Sequence, residues 1–231
     1  MRHRSHFGEP RQFPAFLADA NPNLLLARRE TMHEAIEKQY YWPRFTVGVI
    51  NYGQEFIGSA LRSVAESMSC ATRHYYPGTP TDFLLTIAST DYEEMTIISG
   101  HGAMKGMCFC ENYSRSDIDD SMLLEGRYMP AAVVSAHLKI QNSIIFGAFC
   151  HSGTDEMISA YARNGNLYIA KRGKMKSHMC FMPLFLAKFL FGLIFQKQSS
   201  EESFEQARSV GRDVDRQEFV LCKDGAIISK G

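Results

Sequence analysis

A chain of 231 residues that is 45% hydrophobic and 22% charged has material for one sizeable core, and one main domain is expected. Its 25 Lys and Arg balance 25 Asp and Glu, which removes any general electrostatic argument for nucleic acid or an anionic membrane as partner. Six cysteines are spread through apolar segments of a chain too large to need disulfide staples, which points to a reducing compartment. No long apolar segment follows the basic amino terminus, so a secretory signal is not read here and a cytoplasmic location is expected.

Residues 1–44 are read as an N-terminal helical extension. Asn21 and Pro22 supply a cap and a first-turn proline for an amphipathic helix over 23–39, with Leu24, Leu25, Ala35 and Ile36 on its apolar side. Residues 45–231 form the main domain. Phe45 to Asn51 is a β-branched, apolar strand, followed by a helix from Gln54 to Met68 with Phe56, Ile57, Ala60, Leu61, Val64 and Met68 at helical spacing. Cys70 to Tyr76 reads as a second strand. After a turn through Pro77, Gly78 and Pro80, a helix over Phe83 to Ser89 is expected to take its cap from Thr81 or Asp82.

The third strand lies in Glu94 to Gly102, EMTIISGHG, and ends in His101 between two glycines. Weak alternation over Met107 to Cys110, then a polar tract over 112–120, predicts a hairpin or loop above the strand ends. A helix follows over Met129 to Leu138, beginning near Pro130. The fourth core strand lies in SIIFGAFCHSGT, Ser143 to Thr154, and delivers Cys150 just before His151, Ser152 and Gly153. Next come a helix over Asp155 to Arg163 and a strand over Asn166 to Ala170. Helices around Met182 to Phe195 and Glu201 to Gly211, and an edge strand over Glu218 to Cys222, complete the chain. Alternating strands and helices with right-handed crossovers make an α/β, doubly wound, mostly parallel sheet of five to six strands with helices on both faces.

Short apolar runs bounded by small residues are the pattern of strands buried on both faces, and such sheets carry their chemistry beyond the carboxyl ends of the strands. Two neighbouring strands ending in His101 and Cys150 would set an imidazole beside a thiol, a cysteine-nucleophile site in outline. Taken singly, His101 reads better as a loop histidine, and a buried core thiol is the commoner fate of a cysteine placed like Cys150. Lys171 and Arg172, after the fifth strand, are candidates to receive an acidic group of a substrate, and Asp155 a basic one. Cys108 and Cys110 form a C-x-C with no second pair at ligand spacing, so no metal and no cofactor are expected.

A strand ending His-Gly, a helix, then a strand ending in a small or apolar pair before Cys with Gly shortly after, resembles the caspase-type (clan CD) cysteine peptidases, above all the bacterial CHAT domains. The resemblance spans residues 45 to 222 and extends to the tail, where Phe185 to Phe195 and then Ser199 to Ala207 match a Phe- and Leu-rich helix followed by a helix with Glu and Ala. His101 and Cys150 lie 49 residues apart, against about 50 in caspases. Phe149 departs from the alanine that many members carry before the cysteine, and His151 from the usual charged or polar residue after it. The resemblance implies a caspase-like fold and a regulated cysteine endopeptidase acting on protein or peptide substrates. His101 and Cys150 would be its dyad, and the N–H groups of Gly102 and Cys150 its oxyanion donors.

Two other readings stay open. Another cysteine hydrolase would carry its nucleophile on a tight G-x-C-x-G elbow, whereas Gly147 and Gly153 both lie three residues from Cys150. A catalytically silent scaffold would bind a partner through Met179 to Phe195, a stretch apolar on nearly every side, for which a regulatory partner or self-association is expected. Those 17 residues reach roughly 25 Å, short of the roughly 30 Å hydrocarbon core, so no membrane span is read there.

Overall fold

The computed structural model describes residues 45–52, 55–89, 93–104, 106–109, 128–173, 181–210 and 218–229. The chain divides into two units between residues 43 and 44, and every described residue belongs to the second. The helix expected over 23–39, the polar tract over 112–120 and the cysteines Cys110 and Cys180 lie outside the described residues.

Five parallel strands form the centre. In spatial order they are β2 (Ala71–Tyr75), β1 (Thr46–Tyr52), β3 (Met95–Ala103), β6 (Ile144–Ala148) and β7 (Leu167–Lys171). Two antiparallel strands, β8 (Phe219–Lys223) and β9 (Ala226–Ser229), extend the sheet beyond β7. The edge position expected for β8 therefore belongs to β9, whose alternately exposed AIIS is too short and mixed to stand out in the sequence. The end of β3 turns away from the main sheet, pairing antiparallel with β4 (Gly106–Cys108), which in turn pairs with β5 (Tyr128–Pro130).

Strand side chains alternate between two cores, because period two sends neighbours to opposite faces. Val47, Val49, Met95, Ile97, Phe146 and Ile169 meet α1 (Glu55–Ser67), α5 (Phe181–Leu190) and α6 (Ser200–Arg208) on one face. Ile50, Tyr52, Ile98, Ile145 and Tyr168 meet α2 (Pro80–Ser89), α3 (Ala131–His137) and α4 (Asp155–Tyr161) on the other. Among the described residues three helices thus cover each face of a mostly parallel sheet, the doubly wound arrangement expected.

Helix ends account for small departures from the expected bounds. The second helix begins at Pro80 because Thr79, one residue upstream, caps it: its hydroxyl accepts from Asp82 N at 3.2 Å, leaving Pro80 the first-turn position where a missing N–H costs nothing. Ser199 and Glu202 form a reciprocal capping box at α6. Helix α5 widens after Leu190 into a π-helical turn, Phe191–Phe195, in a segment interrupted by Gly192. Most of the apolar surface of this stretch is core, with Phe181, Met182, Phe185, Leu186, Phe189 and Leu190 buried, while Leu184, Phe191 and Phe195 remain exposed. Among the described residues no helix is long and apolar enough to cross a membrane.

Glycine at position 58 of α1 carries a test of this packing. Replacing a helical glycine by alanine ordinarily gains up to about 1 kcal/mol. Here a Cβ would lie 2.5 Å from Asn51 Cγ and 2.9 Å from its Cβ, too close to the stem of a buried side chain for simple rotation. Gly58→Ala is therefore expected to destabilise the domain by about 1–3 kcal/mol, read from the denaturant midpoint. A midpoint that rises would contradict the contact.

Candidate active site

Strands β3 and β6 lie side by side in parallel, with Ser99 opposite Ala148 as the last pair of the ladder. Two residues beyond each lies a candidate: His101 on β3, and Cys150 in the turn that follows β6. His101 continues the face of Met95, Ile97 and Ser99, and is partly exposed, as is Cys150. The nearness of the two chain segments is fixed by the next residue of β3. A Cβ at Gly102 would overlap the Cys150 carbonyl oxygen and come within 2.6 Å of the Phe149 ring. Only hydrogen fits between these backbones.

The turn after Cys150 is held by main-chain bonds. Ser152 N donates to Phe149 O at 3.3 Å, Thr154 N to His151 O at 3.3 Å, His151 N to Gly173 O at 2.9 Å and Gly153 N to Lys171 O at 2.8 Å. They hold His151 at a φ of 58°, a left-handed conformation costing a non-glycine residue roughly 1–3 kcal/mol. Buried Ser152 reinforces the turn: its hydroxyl accepts from Lys171 N at 2.9 Å, and its carbonyl accepts from the Tyr168 hydroxyl at 2.9 Å. Thr154 then caps α4, accepting from Met157 N at 3.4 Å.

Beneath the site lies an aromatic layer. Tyr52, at the carboxyl end of β1, donates its hydroxyl to His101 O at 2.9 Å. Its ring stacks on Phe109 at 4.7 Å between centroids and meets Phe83 and Phe149 edge to face. A Cβ at Gly100 would come within 2.5 Å of the Tyr52 ring. The two glycines flanking His101 thus accommodate the protein's own Tyr52 and Cys150. Phe149, the departure from the usual alanine, is fully buried between Tyr52 and Tyr161.

The charges expected to meet substrate are engaged with protein groups. Lys171 departs from that expectation: its ammonium is buried and lies 2.7 Å from Glu218, because β8 pairs alongside β7 and covers it. Arg172 and Asp155 pair with each other at 3.0 Å, and both are exposed. A shallow groove between α3 and α4, lined by Ala131, Ala132, Ser135, Glu156 and Ser159, opens beside Asp155. Among the described residues no group of three or more His, Cys, Asp or Glu is gathered to hold a metal ion.

Sequence reasoning missed Tyr52, which lies just beyond the strand expected over Phe45 to Asn51. It also missed Asn51 and Ser99, opposite each other in the β1–β3 register, buried, and with no hydrogen-bond partner for either side chain. Three polar residues at the ends of apolar strands were the available signal.

Two solved structures resemble this chain in part. The Arg-specific cysteine proteinase gingipain R is 9% identical, with a TM-score of 0.47, over 80% of this chain and 47% of that one. A complex of the pro- and mature domains of Porphyromonas gingivalis RgpB is 12% identical, with a TM-score of 0.40, over 65% of this chain and 37% of that one. This chain therefore spans less than half the length of either. No protein-family model matches it, and no curated protein matches it. The functional reading rests on its own residues.

Gly102→Ala, which drives a methyl group into the Cys150 carbonyl, is expected to cost about 1–3 kcal/mol or more and to change the alkylation rate of Cys150. Unchanged melting and unchanged labelling would contradict the contact. The thiols themselves differ in access: Cys70, Cys108 and Cys222 are buried, and desolvation pushes Cys70 up to about 11 and Cys222 up to about 12 from 9.0. Limited iodoacetamide at neutral pH is expected to label Cys150 before these three, scored by peptide mass spectrometry. Because the folded state holds the Cys70 and Cys222 protons that the unfolded chain releases near pH 9, stability should fall as pH rises from about 9 to 11 or 12.

Proposed function

We propose that this domain is a cysteine-type endopeptidase of caspase type, with His101 and Cys150 as its dyad and proteins or peptides as its substrates. The observation that carries the reading is the juxtaposition, at the carboxyl ends of adjacent parallel strands, of an imidazole-bearing segment and a part-exposed cysteine in a rigid turn. The Cys150 thiolate attacks the scissile carbonyl carbon, and the negative charge that develops on oxygen is received by backbone N–H groups, those of Gly102 and Cys150 in the resemblance. His101 gives a proton to the departing amine as the C–N bond breaks. Water then attacks the thioester, losing a proton to His101, and the acid leaves as the thiolate returns.

The turn argues against the elbow-bearing hydrolase reading. There the sharp strand-to-helix turn presents the nucleophile itself, whereas here the left-handed residue is His151 and not Cys150. Asp155 and Arg172, exposed and mutually paired, are the charges for which a substrate side chain would compete. Such a surface pair is worth only about 0.2–1 kcal/mol, so exchanging it for a substrate contact costs little. A regulatory partner or self-association would use Leu184, Phe191 and Phe195, the exposed remainder of the apolar helical stretch. The silent-scaffold alternative would keep that surface and lack cleavage.

A peptide library separates these readings. Cleavage is expected with the full chain and abolished in Cys150→Ala. His101→Ala is expected to lower kcat by about 10²–10⁴-fold, the usual worth of a positioned acid, while slowing iodoacetamide alkylation of Cys150 far less, because alkylation has no amine to protonate. Cleavage that survives Cys150→Ala would overturn the assignment.

A further inference from the structure

Resting on the cysteine-peptidase reading, we propose that Tyr52 is a positioning residue for the oxyanion donor: by holding the His101 carbonyl, its hydroxyl orients and polarises the Gly102 N–H of the same peptide unit. The His101 C=O and the Gly102 N–H belong to one plane and, in a trans peptide, point in opposite directions. A donor fixed on the oxygen at 2.9 Å therefore bears on where the N–H is aimed, together with the β3–β4 ladder in which His101 faces Cys108. It also draws electron density toward the oxygen and makes the N–H a better donor, the cooperativity of linked hydrogen bonds at low dielectric. The same bond limits rotation about the His101 main chain, and so the direction in which its imidazole leaves the strand.

Three observations fit Tyr52 for this task. The side chain is 1% exposed, so water does not compete for its hydroxyl. Burial foremost pushes the phenol well above its ordinary 10.0, so it stays a proton donor across the working pH range. Its ring is fixed on several sides, by Phe109, Phe83, Phe149 and the Gly100 backbone. Phe149 immediately precedes Cys150, so one tyrosine touches both halves of the site.

The test uses Tyr52→Phe in the full chain, with Phe109→Leu as the packing control that keeps the hydroxyl. For the best-cleaved library peptide, Tyr52→Phe is expected to lower kcat about tenfold with KM unchanged, as for a modest misalignment of a transition-state contact. Affinity for the aldehyde of that peptide should fall by the same factor. The Cys150 sulfur adds to the aldehyde carbon and the carbonyl π-bond opens to an oxygen held by the same donors, so the adduct reports the oxyanion site. Iodoacetamide alkylation, which develops no such oxygen, should stay within about twofold.

The Gly102 amide resonance supplies a readout free of any substrate. It should move in Tyr52→Phe and stay near its wild-type position in Phe109→Leu, although the latter melts lower. Unchanged aldehyde affinity together with an unmoved Gly102 resonance would overturn the inference, as would an equal movement in Phe109→Leu. Should the wild-type chain cleave nothing, the peptidase reading falls while the Gly102 resonance still decides whether Tyr52 governs this peptide.

Discussion

The parallel pairing of β3 with β6 is the constraint on which the rest of the site depends. Its register sets Ser99 against Ala148, and two residues further on it leaves His101 and Cys150 facing a common edge of the sheet. From there the two segments separate. β3 continues into an antiparallel hairpin with β4, and the chain after β6 turns into α4. A parallel sheet offers room for chemistry at this edge because its helices enter and leave there, so backbone N–H groups and turn residues gather where strand pairing stops. Gly102 lies against the Cys150 carbonyl where the two segments diverge, and they meet again where the Tyr161 hydroxyl of α4 reaches Met107 Sδ of β4 at 3.0 Å.

The Gly102 contact explains why the surrounding residues are large and apolar rather than small. Phe149 fills the space below Gly102 and meets Tyr52 and Tyr161, and Tyr161 in turn stacks on Tyr168 at 5.0 Å between ring centroids. Two of these tyrosines direct their hydroxyls at main-chain carbonyls on the two limbs of the site: Tyr52 at His101, Tyr168 at Ser152. Burial raises both phenols well above 10.0, which keeps each a neutral donor. The aromatic layer thus does two jobs with one set of rings, filling the core between sheet and helices and pinning the backbone above it.

Much of this was legible in the sequence, for physical reasons that also mark the limit. Glu94 to Gly102 and Ser143 to Phe149 are uninterrupted apolar runs, and burial on both faces makes such runs the clearest strand signal in an α/β chain. The helix over Glu55–Ser67 announces itself by spacing. What escaped depended on tertiary partners. Lys171 sits in a run of basic residues, and the antiparallel return of β8, with Glu218 just before it, removes it from water. Thr79 was passed over as a cap because the proline after it reads as a turn, although proline is well suited to the first helical position. Of the candidate site, the strand ends were visible, whereas the tyrosine hydroxyls were not, since no local pattern reveals which carbonyl a buried phenol will reach.

Asn51 and Ser99 show the same principle from the opposite direction. They are cross-strand neighbours in the layer immediately below His101, on its face of the sheet, where every earlier position of β1 and β3 on that face is apolar or lies at the strand start. Each unpaired buried polar group costs about 1–3 kcal/mol, and an apolar pair of similar size would avoid the cost. The cost is not confined to that end, since Thr96, fully buried near the start of β3, also leaves its hydroxyl without a hydrogen-bond partner. Strand position also matters: residues diagonal to each other on adjacent strands lie about 7–8 Å apart, within reach of long side chains or of an ordered water with polar partners. The polar pair beneath His101 and the tyrosine beside it thus stand at the carboxyl end of the β1–β3 pair, the end at which a parallel sheet leaves room for chemistry.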